Sequence, residues 1–154
     1  MTIRAPKPED AAAVAALYNH YVLHSTASFE TEPLGAEQMR SRLESATARL
    51  VCERERAIVG FGYTHDWKER AAYRHTQEVT VYVAPDSTGL GIGRRLVAEC
   101  RTTECHALVA CITADNDPSR RLFESIGFRR VSHFEQVGRK FGRWLDVVDY
   151  ELLL

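Results

Sequence analysis

The chain has 154 residues, 45% hydrophobic and 27% charged, with a formal net charge of −1. That length and composition suit one soluble globular core and exclude a disordered chain, while the balanced charge gives no strong attraction to nucleic acid or to an acidic membrane. The longest apolar run, Ala11 to Tyr18, is far too short to cross a bilayer, and Glu9 and Asp10 stand where a secretion leader needs apolar residues, so a cytoplasmic location is expected.

A short strand at Thr2 to Arg4 leads into "KPEDAAAVAALYNHYV". Pro8 and two acidic residues open a helix there, and Val14, Leu17, Tyr18, Tyr21 and Val22 recur at helical spacing. Leu34, Met39 and Leu43 mark a second, weaker helix. "LVCERERAIVGFGYTHDW" reads as a hairpin turning near Glu55 and Arg56. Thr76 to Val83 is the clearest strand, with Val79, Val81 and Val83 on one face and Glu78, Thr80 and Tyr82 on the other. A glycine turn follows, then a helix with Ile92, Leu96, Val97 and Cys100 inward. "ALVACIT" is continuously apolar and predicts a strand buried on both faces. "NDPSRRLFESIGF" predicts a helix capped by Asp117, with Pro118 at its first position and Gly127 at its end. Val131 to Val137 and Trp144 to Leu153 flank "GRKFG" as a long-looped hairpin. Repeats, linkers and low-complexity tracts are missing, so the order predicts a single α/β (α+β) domain with a mixed central sheet. Cys52, Cys100, Cys105 and Cys111 lack paired short spacings, which favours reduced, mostly buried thiols over a metal at Cys100, Cys105 and His106.

The turn "APDSTGLGIGRRL" carries Gly89, Gly91 and Gly93 at a strand-to-helix junction. A Walker loop needs GxxxxGK, and a dinucleotide fingerprint needs GxGxxG; the spacing here is GxGxG, followed by Arg94 and Arg95. What remains is a helix N-terminus whose amides and dipole suit an anion, or an ordinary glycine turn.

At these residues the chain resembles the GCN5-related N-acetyltransferases (GNAT). Their acetyl-CoA signature is Arg or Gln, two residues, Gly, one residue, then Gly or Ala. Gly91 and Gly93 supply the glycines, and Thr88 stands in place of Arg or Gln. "NDPSRRLFESIGF" resembles the family's Asn-led helix, and places Asn116 near the pantetheine arm. "YNHYVLHSTASFETEP", "WKERAAY", "TVYV", "NDPS" and "GRKFGRWLDV" are similar to the phosphinothricin and methionine sulfoximine acetyltransferase branch. The resemblance implies one GNAT domain over residues 1–154, acetyl-CoA as cosubstrate without a metal, a small amino-acid acceptor and a homodimer. It places the cofactor along Val81, Tyr82, Val83, Gly89, Leu90, Gly91, Ile92, Gly93, Arg94, Arg95, Leu96 and Asn116.

The same resemblance makes Glu78 the general base, against the plainer reading of a strand glutamate facing solvent. A carboxylate in a partly apolar cleft has a raised pKa and can take a proton directly or through water. The resemblance also implies that the Val83 backbone N–H serves the oxyanion. Phe123 stands where many members have a Tyr acid, so no general acid is assigned. Phe29, Arg70, Tyr73, Glu78 and Thr80 are the implied acceptor residues. Lys68 lies beside them, and Arg suits sulfur and phosphorus oxyanions through its paired donors. Phe141 replaces the His of the dedicated phosphinothricin enzymes, which favours methionine derivatives. Two other readings are an acetyltransferase for another amine, such as a peptide N-terminus, and a non-catalytic acyl-CoA sensor. Thiol release that depends on a small amino acid separates the enzyme from the sensor.

Overall fold

In the computed structural model, which describes residues 1–102 and 104–154, a seven-stranded sheet is flanked by four helices. The strands are β1 (Thr2–Arg4), β2 (Ala48–Arg54), β3 (Ala57–Asp66), β4 (Thr76–Val83), β5 (Ala107–Thr113), β6 (Arg129–Lys140) and β7 (Arg143–Leu153). The helices are α1 (Ala11–His24), α2 (Ala36–Ser45), α3 (Ile92–Glu99) and α4 (Asp117–Ile126). Sheet order is β1-β2-β3-β4-β5-β7-β6, with β4 and β5 the parallel pair. A parallel pair needs a crossover, and α3 supplies it.

Strand alternation sorts the core into two layers. Val51, Phe61, Tyr63 and Tyr82 pack under α1 and α2, joined by Val14, Tyr18 and Met39. Val79, Val97, Leu108, Ile112, Phe123 and Tyr150 form the opposite layer under α3 and α4. Each buried side chain of this size contributes about 1.5–3 kcal/mol. Gly60 lets α3 lie on β3, since a Cβ there would sit 2.9 Å from Ile92 Cγ2. Ile92, Leu96, Val97 and Cys100 are all buried, as the spacing predicts. Glu55 and Arg56 both adopt positive φ in the predicted β2–β3 turn, the geometry of a tight two-residue hairpin.

Four expectations are corrected. Leu34 precedes α2, pinned by paired 2.8 Å hydrogen bonds with the Asn19 amide. The α4 cap is Asn116, whose Oδ1 accepts from the Ser119 N–H at 3.2 Å, so Asp117 is the first helical residue and Pro118 the second. Asn and Asp both cap well, and adjacency concealed which one does so. "GRKFG" is not a long loop, because β6 continues to Lys140 and only Phe141 and Gly142 turn, at φ 52° and 72°. In β5, Cys111 is exposed while its neighbours are buried, so the strand is not covered on both faces and one of the four thiols is accessible. No helix among the described residues is long and apolar enough to cross a membrane.

Candidate active site

The site arises where β4 and β5 part. On β4, only Thr76, Gln77 and Glu78 pair with β5, and β4 then runs on to Val83 without it. Trp67 N–H donates to the Thr76 carbonyl and Ala84 N–H to the Val59 carbonyl, which brackets the β3–β4 ladder. Its alternation assigns the even residues of β4 to β3 and turns the backbone groups of Val81 and Val83 into the gap. A cleft of about 820 Å³ occupies this gap, lined by β4 on one side and by Ala110, Cys111 and Ile112 on the other.

At its far end the cleft reaches the glycine turn. Gly91 caps α3 at φ 76° and ψ 7°, and Gly89 also has positive φ. A Cβ on either would meet open space, so both leave a bare backbone surface facing outward. Gly93 is constrained by packing, since its Cβ would lie 3.0 Å from Leu122 Cδ2. The Arg95 N–H already donates to the Gly91 carbonyl at 3.1 Å, and Leu96 is buried in the core. The expected donor set therefore narrows to the first turn, where helix amides lack partners. Val81, Tyr82, Val83, Gly89, Gly91, Ile92, Gly93, Arg94 and Asn116 line the cleft; Leu90, Arg95 and Leu96 do not. Asn116 both lines the cleft and caps α4. Asn116→Ala should lower unfolding free energy by about 1 kcal/mol, read from the denaturation midpoint.

Glu78 sits at the root of the gap, as the last β4 residue paired to β5. Burial pushes its carboxyl above the ordinary carboxylate range, and the negative Asp149 adds to this while His65 opposes it. His65 is its register partner on β3. Asp149 is fixed by the Ser132 hydroxyl, which donates to its Oδ2 at 2.9 Å. Cys111 pairs with Asp149 across β5 and β7. Cys111 is exposed to the cleft, whose walls partly desolvate it; that desolvation and the Asp149 and Glu78 carboxylates push its thiol up to about 12, which disfavours the thiolate.

Thr80 lines the cleft, but Phe29, Arg70, Tyr73 and Glu78 do not; Glu78 lies one residue before the first lining position of β4. Arg70 heads the single turn Ala71–Tyr73. Tyr73 packs edge-on against Trp67 at 5.3 Å, with the Lys68 amine 4.3 Å over the Trp67 ring. Phe29 packs against Gly138, where any Cβ would clash with the Phe29 ring. Phe123 is buried in the core and offers no acid.

Sequence reasoning missed Tyr21 and Lys140. The Tyr21 hydroxyl lies in the cleft wall and donates to the Val83 carbonyl. Its helical spacing made it look like core alone. Lys140 is buried, and its amine donates to the carbonyls of Ser25 at 2.7 Å and Ser28 at 2.6 Å. No local pattern distinguishes it from a solvated hairpin lysine. Groups of three or more metal-type ligands are missing among the described residues.

The strand edge left open beyond Glu78 leads to a helix N-terminus capped by Gly91, a backbone surface suited to an extended ligand that ends in an anion. The Acetyltransferase (GNAT) family model matches residues 14–128, and the chain belongs to that family. It is 38% identical to the L-amino acid N-acyltransferase MnaT of Escherichia coli, over 100% of this chain and 94% of that protein. Identity to the phosphinothricin N-acetyltransferase of Alcaligenes faecalis is 37%, over 96% and 79%. The L-methionine sulfoximine/L-methionine sulfone acetyltransferase of Salmonella typhimurium is 36% identical, over 100% and 95%. The structure of yncA from Salmonella typhimurium, solved with its cofactor acetyl-CoA, superposes with a TM-score of 0.94 at 34% identity, covering 100% and 94%.

Proposed function

We propose that this chain transfers the acetyl group of acetyl-CoA to the α-amine of a small amino acid bearing tetrahedral sulfur or phosphorus oxygens. The observation that carries this reading is the unpaired edge of β4, which begins beside Glu78 and ends at the glycine turn. The fit to the cosubstrate rests on shape: positive-φ glycines leave open space for a pyrophosphate, and the β4 edge offers amides to an extended arm. The pyrophosphate belongs at the amides from Gly89 to Arg94, and the pantetheine belongs beside Val81, Val83 and Asn116. When bound, acetyl-CoA supplies the activated acyl group.

Glu78 accepts the proton that the attacking amine must lose. Val83 lies five residues beyond it, about 16 Å along a strand, whereas Val81 is about 10 Å away and presents its N–H to the same gap. The Val81 amide is therefore the better oxyanion donor, a shift from the expectation at Val83. Arg70 and Tyr73 are assigned to the acceptor's side-chain oxygens, Thr80 to the cleft wall, and Phe29 to the outer wall. The chain works in the cytoplasm as a homodimer, a reading supported by its four free cysteines and by exposed Phe134, Val137, Phe141 and Trp144 on the β6–β7 hairpin.

Methionine sulfone and sulfoximine are preferred over phosphinothricin, since Phe141 favours a methyl group over a charged phosphinate. Unmodified methionine would leave polar donors without partners, a discrimination that reaches several kcal/mol when they are buried. Competition kinetics tests this. The sulfoximine should exceed methionine in kcat/KM by about 100-fold; equal values would overturn the assignment.

A further inference from the structure

Residues 25–28 join α1 to the segment before α2 and run in neither helix nor strand, yet four consecutive carbonyls there each accept a hydrogen bond from a side chain. Lys140 on β6 holds Ser25 and Ser28, the Thr113 hydroxyl on β5 holds Thr26 at 2.6 Å, and the Tyr82 hydroxyl on β4 holds Ala27 at 3.1 Å. Tyr82 and Thr113 stand on opposite sides of the gap between β4 and β5, so the segment straps that gap. Ser25 and Ala27 line the cleft, and Phe29 follows immediately.

We infer that Lys140 is a positioning residue for the acceptor site: its buried amine fastens the 25–28 strap to the β6–β7 hairpin and thereby sets Phe29 against Gly138. The inference rests on the amino-acid reading of the site above. The Lys140 amine is directed at two carbonyls, while the Glu30 carboxylate is paired with Arg42 at 2.6 Å. A buried ammonium is costly unless its donors are used, and here the strap uses two of them. The amine also lies 5.0 Å from the Phe141 ring centroid, within cation–π range. Gly138, two residues earlier on the same strand, admits the Phe29 ring against its backbone. One side chain thus ties the strap that precedes Phe29 to the hairpin against which Phe29 packs.

Lys140→Met keeps the apolar stem and removes the donors. It should raise the acceptor KM by about tenfold, with kcat and acetyl-CoA affinity within about twofold of the parent. The preference for methionine sulfone over methionine should fall toward unity, which general destabilisation would not produce. Lys140→Arg, which retains charge and donors, should recover part of the loss. Hydrogen exchange should quicken at the Ala27 and Glu30 amides, which bond within the strap to the Ser25 and Ser28 hydroxyls. A folded Lys140→Met with parental KM, preference and exchange would overturn the inference. If that variant does not fold, Thr113→Val decides, because it frees the Thr26 carbonyl alone and should shift KM and exchange in the same direction. If the parent acetylates no amino acid, the functional reading fails by itself, and the exchange rates still decide whether the strap depends on Lys140.

Discussion

Glu78→Gln should lower kcat by roughly 100-fold or more while leaving acetyl-CoA affinity unchanged, the usual scale for a lost general base. Burial and Asp149 raise the Glu78 pKa, so the parent's kcat/KM should climb with pH through an acid limb above the ordinary carboxylate range. The variant should lose that limb, and its deficit should shrink at high pH as more of the amine is already neutral. Stability should move the other way. Between the unfolded pKa and the raised folded pKa, the native state binds more protons than the unfolded state, so ionising Glu78 lowers stability as pH rises. A neutral glutamine escapes that penalty, and Tm near neutrality should hold or increase. A variant with parental kcat at neutral pH would remove Glu78 from the chemistry.

Gly91→Val should weaken acetyl-CoA binding by at least about tenfold, with Glu78 chemistry intact in the residual activity at saturation. Gly91 caps α3 in the left-handed region, where a β-branched residue is strained by roughly 1–2 kcal/mol and its side chain enters the space assigned to the pyrophosphate. Gly89→Ala, also at positive φ but farther from the helix start, should bind more nearly as the parent does. Gly93 is the less informative position, because a Cβ there would lie 3.0 Å from Leu122 Cδ2, and the shift of Leu122 would mix a packing change with any change in binding. Calorimetry on folded Gly91→Val checks this; parental affinity would separate the glycine turn from the cosubstrate.

Much of the architecture was legible because local rules and tertiary packing agree. Val79, Val81 and Val83 alternate with Glu78, Thr80 and Tyr82, and the two faces are buried against different helices. The α3 positions Ile92, Leu96 and Val97 likewise fall on one buried stripe. Where the sequence misled, the cause was long-range. Nothing local to "ALVACIT" says that β4 departs after Glu78, and that departure exposes Cys111 and opens the cleft. Lys140 lies 115 residues from Ser25, so its burial follows from the hairpin folding over the strap. The turn at Phe141 and Gly142 could have been read from the glycine, but Phe141 at positive φ is an uncommon choice that pattern reasoning passes over.

The central claim is that this cleft moves an acetyl group from acetyl-CoA to an amino-acid α-amine. The most direct measurement incubates the protein with acetyl-CoA and methionine sulfone, and follows released thiol and acetylated product together, by thiol titration and by NMR of the acceptor. Free CoA thiol and product acetylated at the α-nitrogen should form in equal amounts, and both should be lost when the amino acid is omitted. Thiol release that is indifferent to the amino acid, with no N-acetylated product, would contradict it.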